Sequence, residues 1–509
     1  MSSKLAIFGG EKAIKTDPGN MFTWPIITHE DEEAVLEVLR RGAMSNTDVT
    51  KKFEEEFAAW QGTKYALGFC NGTSALQAAM FACNIGAGDE LICPSVTYWA
   101  SAIQVFSLSG TVVFADVDPK SLCIDPKDIE KRITDRTKAI MVVHYLGHPA
   151  DMDSIMEIAK KHNLKVIEDV SHAQGGLYKG RKLGTFGDVA AMSLMSGKSF
   201  ATGEAGIMVT NNIEIYERAI AFGHYDRYHE NSIETDYLKP YAGLPLGGYK
   251  YRMHQLSSAV GRVQLKYYDA RTEEIRKAMN YFWDLLEGVP GLRAHRPAKD
   301  SGSNMAGWYA ARGIYVEEEL GGLSVSRFAE AVRAEGFEGC YPGCNLPLHT
   351  HPLFKTCDVY GHGKPTRIAH STHDVREFDK DLPVSEKFGF MTYVIPWFKH
   401  YTPAIIEEYA NAFRKVAENY KELLDGDKGN PASLGGWSTF FKKLITHNDF
   451  PPRQVRSNKM HLSLCIFCSC APLCSCGYAG RTLWCVPVGT SFVEEKKAKK
   501  VEKRLTKYV

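Results

Sequence analysis

Four short segments carry residue types that could do chemistry together: Asn71-Gly72-Thr73-Ser74, Pro94-Ser95-Val96-Thr97-Tyr98, Ile167-Glu168-Asp169-Val170-Ser171-His172 and Ser193-Leu194-Met195-Ser196-Gly197-Lys198. Lys198 stands among small residues just past an apolar run. A lysine desolvated there can lose its proton and attack an aldehyde, although most lysines are solvated surface groups. Asp169 closes another apolar run, where an unpaired ionised carboxylate is costly. One fitting partner is a pyridinium nitrogen, which a carboxylate keeps protonated and so a better electron sink. A helix cap or a structural arginine fits Asp169 equally well. Gly72 permits close backbone approach, and Thr73 and Ser74 set hydroxyls beside the free N–H groups of a helix start, which suits a phosphate. The same segment also reads as a plain helix cap. Ser193 could give that phosphate another hydroxyl, and Tyr98 could stack on a flat heterocycle or simply belong to the core.

These segments fall where strands meet the following loops. Apolar runs at 65–70, 90–93, 111–116, 139–144, 165–169, 189–194 and 207–210 read as strands, several of them apolar on consecutive positions, as strands covered on both faces are. Amphipathic stretches at 74–82, 99–107, 126–133 and 152–162 read as helices, the last capped by Asp151. The alternation predicts an open α/β fold with a mainly parallel sheet, whose ligands bind at the carboxyl ends of strands. After Met253 the rhythm changes. A long helix at 255–286, a strand at 313–316 and helices at 326–335 and 403–424 predict a smaller α+β domain. The expected division is a large domain over 1–250, a small C-terminal domain over 251–426, and a tail over 427–509 opened by the linker Gly426-Asp427-Lys428-Gly429-Asn430-Pro431.

The totals exclude several classes. A chain of 509 residues with 44% hydrophobic and 24% charged residues is ordinary globular material with room for two or three domains. A net charge of +1 gives no reason to expect nucleic acid or an anionic membrane as partner. No basic and apolar leader opens the sequence and no long uncharged apolar run crosses it, so the protein is expected to be cytoplasmic, with no membrane partner. Seven scattered cysteines up to Cys357 fit reduced core thiols. Six more crowd between Cys465 and Cys485 in a tail carrying 14 Lys/Arg against five Asp/Glu from Asp427 onward. That tail reads as a thiol or metal module, a disordered interaction tail, or sequence foreign to the enzyme; the last two are favoured, because the domains are complete before it. His349-Thr350-His351 with Cys344 and Cys357 matches no zinc spacing, so no metal is expected.

In order and spacing the four segments resemble the DegT/StrS family of sugar aminotransferases. The resemblance covers about residues 4–425 and is carried further by 143–153, by Tyr178-Lys179-Gly180-Arg181-Lys182-Leu183-Gly184, by Thr202-Gly203-Glu204 and by Gly248-Tyr249-Lys250-Tyr251-Arg252-Met253. It implies a fold-type I enzyme dependent on pyridoxal 5'-phosphate (PLP). Lys198 would carry the cofactor as a Schiff base and shuttle a proton, Asp169 would partner the pyridine nitrogen, and His172 would lie near the phenolic oxygen. Tyr98 would stack over the ring, and Gly72, Thr73, Ser74 and Ser193 would hold the phosphate. The resemblance places His349 near the substrate and implies a homodimer whose partner completes each site. Many members reach the partner's phosphate with an asparagine where this sequence has Lys250 and Arg252. Relatives that dehydrate instead of transaminating replace the lysine by histidine, which Lys198 argues against. The opening Leu5-Ala6-Ile7-Phe8-Gly9-Gly10 and the run Ser196-Gly197-Lys198-Ser199 look closest to members acting on inososes or aminobenzoate-type precursors. The implied reaction is ping-pong transfer of an amino group from L-glutamate or L-glutamine to a keto-sugar or keto-cyclitol. The competing readings are a PLP-dependent dehydratase or lyase, and a catalytically silent sensor or scaffold.

Overall fold

The computed structural model describes residues 4–436 and two short strands beyond them, Gly477–Ala479 and Thr482–Trp484, which pair antiparallel. The chain divides into two units at 446/447. The cysteines at 465–485 lie outside the described residues.

The first unit is built on a seven-stranded sheet. Its strands are β1 (Tyr65–Phe69), β2 (Glu90–Pro94), β3 (Thr111–Ala115), β4 (Thr137–Val143), β5 (Lys165–Asp169), β6 (Val189–Ser193) and β7 (Gly206–Thr210), in the order β1-β7-β6-β5-β4-β2-β3. From β6 across to β3 the neighbours run parallel. Only β7 runs against its neighbours, pairing antiparallel with both β1 and β6. The sheet is therefore α/β and mainly parallel, as the alternation of runs predicts, and its central strands are buried along their length: β2 and β3 expose none of their residues. Helices form where caps and apolar faces coincide. Asn71 accepts from the Ser74 N–H at 2.8 Å to start Gly72–Ala82, and the Asp151 carboxylate takes the Ser154 hydroxyl at 2.6 Å to start Met152–His162.

A second, three-stranded antiparallel sheet joins β8 (Leu292–Ala294), β9 (Arg312–Tyr315) and β10 (Thr392–Val394) in that order. Phe282, Trp283, Phe328, Tyr393 and Phe413 pack its core. The 31-residue helix Gln255–Leu285 packs against Asp48–Gln61 and Pro403–Glu418. Two predicted helices differ at their ends. The stretch at 99–107 is α-helical only over Ala100–Ile103 before tightening to a 3-10 turn, and 403–424 breaks after Glu418. Helices His29–Arg40, Asp48–Gln61 and Ile213–Gly223 were not anticipated. The first nevertheless carries a start signal, a capping box between Thr28 and Asp31. Residues just past Gly426 are tied down: Asp427 accepts from the Ser324 N–H at 2.7 Å and the Asn430 side chain from the Ser326 hydroxyl at 2.9 Å.

The end of β5 is held by Glu168, whose side chain points away from that of Asp169 by strand alternation. Its carboxylate accepts from the N–H groups of Gly184 (2.7 Å), Phe186 (2.8 Å) and Gly187 (2.7 Å) and lies 3.0 Å from His144 Nε2. Burial raises this carboxyl, but the His144 ring and the backbone donors outweigh it and leave it below the ordinary value. Stability from a depressed carboxylate is present above its unfolded value and is lost as pH falls through the folded one. We expect Glu168→Gln to lower stability by about 2–4 kcal/mol, with a melting-point gap to the wild type that is wider at pH 7 than at pH 4.

Candidate active site

The carboxyl ends of β2, β4, β5 and β6 and the start of helix Gly72–Ala82 open onto a cavity of about 500 Å³. Thr97 and Tyr98 border it after β2, Asp169 and His172 after β5, and Ser193 and Lys198 after β6. A wider open groove of about 960 Å³ borders Asp118, Lys120 and Arg296, but neither Lys198 nor Asp169 reaches it.

Lys198 is 8% exposed, and its Nζ lies 4.1 Å from the centre of the Tyr309 ring. Its backbone carbonyl accepts from the Trp24 indole at 2.8 Å, which fixes the loop that carries it. Among the described residues its amine forms no ion pair with a carboxylate. Burial lowers the ammonium to about 8, against the opposing pull of Asp169. Asp169 is buried and keeps its carboxylate in place through the Ser101 hydroxyl (2.8 Å) and the Ser171 N–H (3.0 Å). His172 Nδ1 accepts from the Leu146 N–H at 3.2 Å, which assigns the proton of the neutral ring to Nε2. Burial, then Lys198 and Arg312, hold this ring well below its usual range, so it stays neutral.

The helix start presses on β6. A Cβ added at Gly72 would meet Ser193 Cα at 2.7 Å, so only glycine allows this approach. The first N–H groups of the helix have no partner within it. Together with Thr73 and Ser193 at the cavity wall they make an arrangement that would suit a phosphate. Ser74 is turned out of it: its hydroxyl donates at 2.9 Å to the carbonyl of Asn71, the residue that caps the helix.

The structure thus brings together Gly72, Thr73, Tyr98, Asp169, His172, Ser193 and Lys198. Three further expected residues lie elsewhere in this chain. Lys250 and Arg252 border a separate depression of about 200 Å³ near Ser45, where Arg252 pairs with Asp226 at 3.1 Å. His349 is buried, with Nδ1 2.7 Å from the Ser95 hydroxyl, and does not line the cavity. Tyr309, Arg312 and Asn345 line the cavity and were not anticipated. They come from loops and a strand start of the smaller sheet, with no spacing that ties them to the four segments.

A buried amine near neutrality, a held carboxylate and a phosphate cradle around one cavity fit PLP, and fold and site together define a fold-type I PLP-dependent aminotransferase. The chain belongs to the DegT/DnrJ/EryC1/StrS aminotransferase family, whose profile matches residues 25–375. Among its relatives, the L-glutamine:scyllo-inosose aminotransferase of Streptomyces griseus is 29% identical over 447 residues, covering 83% of this chain and 100% of that protein. The GDP-perosamine synthase of Escherichia coli O157:H7 is 36% identical over 277 residues, 54% of this chain and 73% of that one. The crystal structure of the aminotransferase from Psychrobacter cryohalolentis superposes with a TM-score of 0.68 at 30% identity, covering 79% of this chain and all of that one (100%).

An amine lowered to about 8 is increasingly unprotonated as pH rises through that value. The rate at which the apoprotein captures PLP covalently should therefore climb through pH 8 and level off above it. A stopped-flow pH series of the visible absorption change checks this. A climb continuing toward the range of a free lysine would mean that the amine is not desolvated.

Proposed function

We propose that the protein transfers the amino group of L-glutamine or L-glutamate to a keto-cyclitol of the inosose type, or to a related keto-sugar, in two half-reactions that share one cavity. The observation that carries this reading is Lys198 Nζ, buried at the cavity wall and free of any carboxylate ion pair among the described residues. The full-length match to the S. griseus glutamine:inosose enzyme supports a cyclitol; the shorter match to a GDP-sugar enzyme keeps a sugar ketone as the second acceptor class.

In this reading PLP, when bound, supplies the electron sink and the amino carrier. Lys198 Nζ would hold the cofactor covalently, and it is the amine at the cavity wall placed to move a proton at the substrate carbon. The Asp169 carboxylate, prevented from turning by Ser101 and the Ser171 N–H, would keep the ring nitrogen protonated. His172, whose Nδ1 is fixed by the Leu146 N–H, would offer its Nε2 proton toward the phenolic oxygen. Tyr98 would stack on the ring, and Gly72, Thr73 and Ser193 would take the phosphate. Lys250 or Arg252 serves the phosphate of a second copy in a homodimer. In support, both lie outside their own cavity, on a segment with exposed Tyr241, Leu244 and Leu246. His349, 2.7 Å from the Ser95 hydroxyl and outside the cavity wall, would act only by steadying the segment that carries Thr97 and Tyr98, a positioning role in place of direct contact.

Adding L-glutamine or L-glutamate to the PLP-loaded protein should bleach its visible band, and adding scyllo-inosose should restore it. Lys198→Ala should show neither change, with a loss of at least about 10³-fold in turnover. A wild-type protein that binds PLP and responds to no donor would overturn this reading in favour of a lyase or a silent scaffold.

A further inference from the structure

Asn345 lines the cavity and has no task in the scheme above. It lies half-buried in the long connection between β9 and β10. Its carboxamide is held by the oxygen: the Tyr145 hydroxyl donates to Oδ1 at 2.5 Å and the Cys344 thiol donates to it at 3.7 Å. Tyr145 follows β4 and is fully buried, its ring edge-on to Phe388 at 5.8 Å and tilted to His172 at 5.5 Å, so its hydroxyl has little freedom to turn away. A carboxamide carries an acceptor oxygen and an NH2 group with two hydrogens. With the oxygen taken on the Tyr145 side, the two Nδ2 hydrogens have no partner among the described residues.

The main chain that presents this amide is fixed as well. The Gly343 N–H donates to the Thr392 carbonyl of β10 at 2.7 Å, and the Leu348 N–H donates at 2.7 Å to the carbonyl of Ser95, just past β2. Between these anchors Gly436 pairs with both neighbours of Asn345. Its N–H donates to the Cys344 carbonyl at 2.9 Å, and its carbonyl accepts from the Leu346 N–H at 3.3 Å. The approach is close enough that a Cβ at Gly435 would overlap the Cys344 carbonyl oxygen, and the φ of 107° there suits glycine. The amide is thus pinned through its oxygen and through its backbone, and a donor fixed in advance pays less to bind than one that swings.

We propose that Asn345 is a specificity-determining residue for the acceptor, its two Nδ2 hydrogens donating to ring hydroxyl oxygens of the ketone. In an open cavity water satisfies such hydrogens. A ring that fills the cavity expels that water, and the donors are then costly unless the ring returns acceptors in its place. A polyhydroxylated cyclitol returns them and a bare cyclic ketone does not, so a site of this kind rejects the analogue that lacks hydroxyls. The amino donor has no ring hydroxyls, and its half-reaction does not depend on the contact. The proposal rests on the reading that the acceptor is a polyhydroxylated ketone. A keto-sugar offers ring hydroxyls of the same chemistry, and the test separates the two sources.

Asn345→Leu keeps the bulk and removes both donors, and Asn345→Asp keeps the shape and puts acceptors in their place. Both are compared with the wild type after melting and cofactor content confirm that they fold. The proteins are loaded with pyridoxamine 5'-phosphate, and return of the visible band is followed with scyllo-inosose, with a GDP-linked keto-sugar and with cyclohexanone. In both variants the apparent Kd for scyllo-inosose should rise about 10- to 100-fold, and its preference over cyclohexanone should shrink by the same factor. Bleaching of the PLP-loaded form by L-glutamine should stay close to that of the wild type. Tyr145→Phe, which releases the amide without removing its donors, should lie between. Calorimetric titration with scyllo-inositol, which keeps the ring hydroxyls but has no carbonyl to react, should show the same weakening without turnover. A loss on the GDP-linked keto-sugar alone would support the contact with a sugar ring as its source. Equal affinities in wild type and Asn345→Leu, a loss shared equally by the glutamine half-reaction, or a wild type that binds none of these rings overturns the proposal. If the wild type converts no ketone but binds scyllo-inositol through Asn345, the contact stands and the transferase reading fails.

Discussion

A buried amine can serve as a nucleophile near neutral pH only while water and carboxylates are both kept from holding its proton. Asp169 and Lys198 face one cavity, and the distance between their roles depends on how firmly the carboxylate is held back. Ser101 and the Ser171 N–H occupy it, and Trp24 fixes the loop of the lysine through its carbonyl. Behind Asp169, Glu168 ties the same strand end to the turn at Gly184–Gly187 through three backbone donors. The fold is in this sense a frame that keeps opposite charges close without letting them pair. The parallel strands supply it by ending side by side, and the close approach of Gly72 to Ser193 on β6 brings a helix start to the same wall.

The smaller sheet contributes to chemistry as well as to packing. Through β9 and the strained turn before it, that sheet brings Tyr309 and Arg312 to a cavity otherwise made by the large sheet. The cavity thus has a held carboxylate at the strand ends and, from the smaller sheet, a guanidinium with no carboxylate partner among the described residues. A relative named for glutamine and scyllo-inosose covers 83% of the chain.

Much of this was legible in the residues. All seven strands of the main sheet lie where consecutive apolar positions place them, because burial on both faces leaves a strong and local signal. Gly72, Thr73, Tyr98, Asp169, His172, Ser193 and Lys198 reach one cavity because each sits within a few residues of a strand end. What the sequence hides is decided by tertiary approach. Ser74 differs from Thr73 only in which way a helix start turns it. His349 is sequestered by a serine 254 positions away. Arg312 opens a short strand of alternating pattern, and only the packing of that strand against the large sheet makes it part of the site. Helix His29–Arg40 has a capping box at its start, but it is rich in charge and buries only Asp31 and Val38, which leaves little apolar pattern to read.

The central claim is that Lys198, of all the lysines in the chain, holds the cofactor. Borohydride reduction of the PLP-loaded protein followed by peptide mass mapping tests it directly. The account predicts one phosphopyridoxyl group per chain, on the peptide containing Lys198. Label on any other lysine, including Lys250 or the buried Lys399, or no stable label at all, would contradict it.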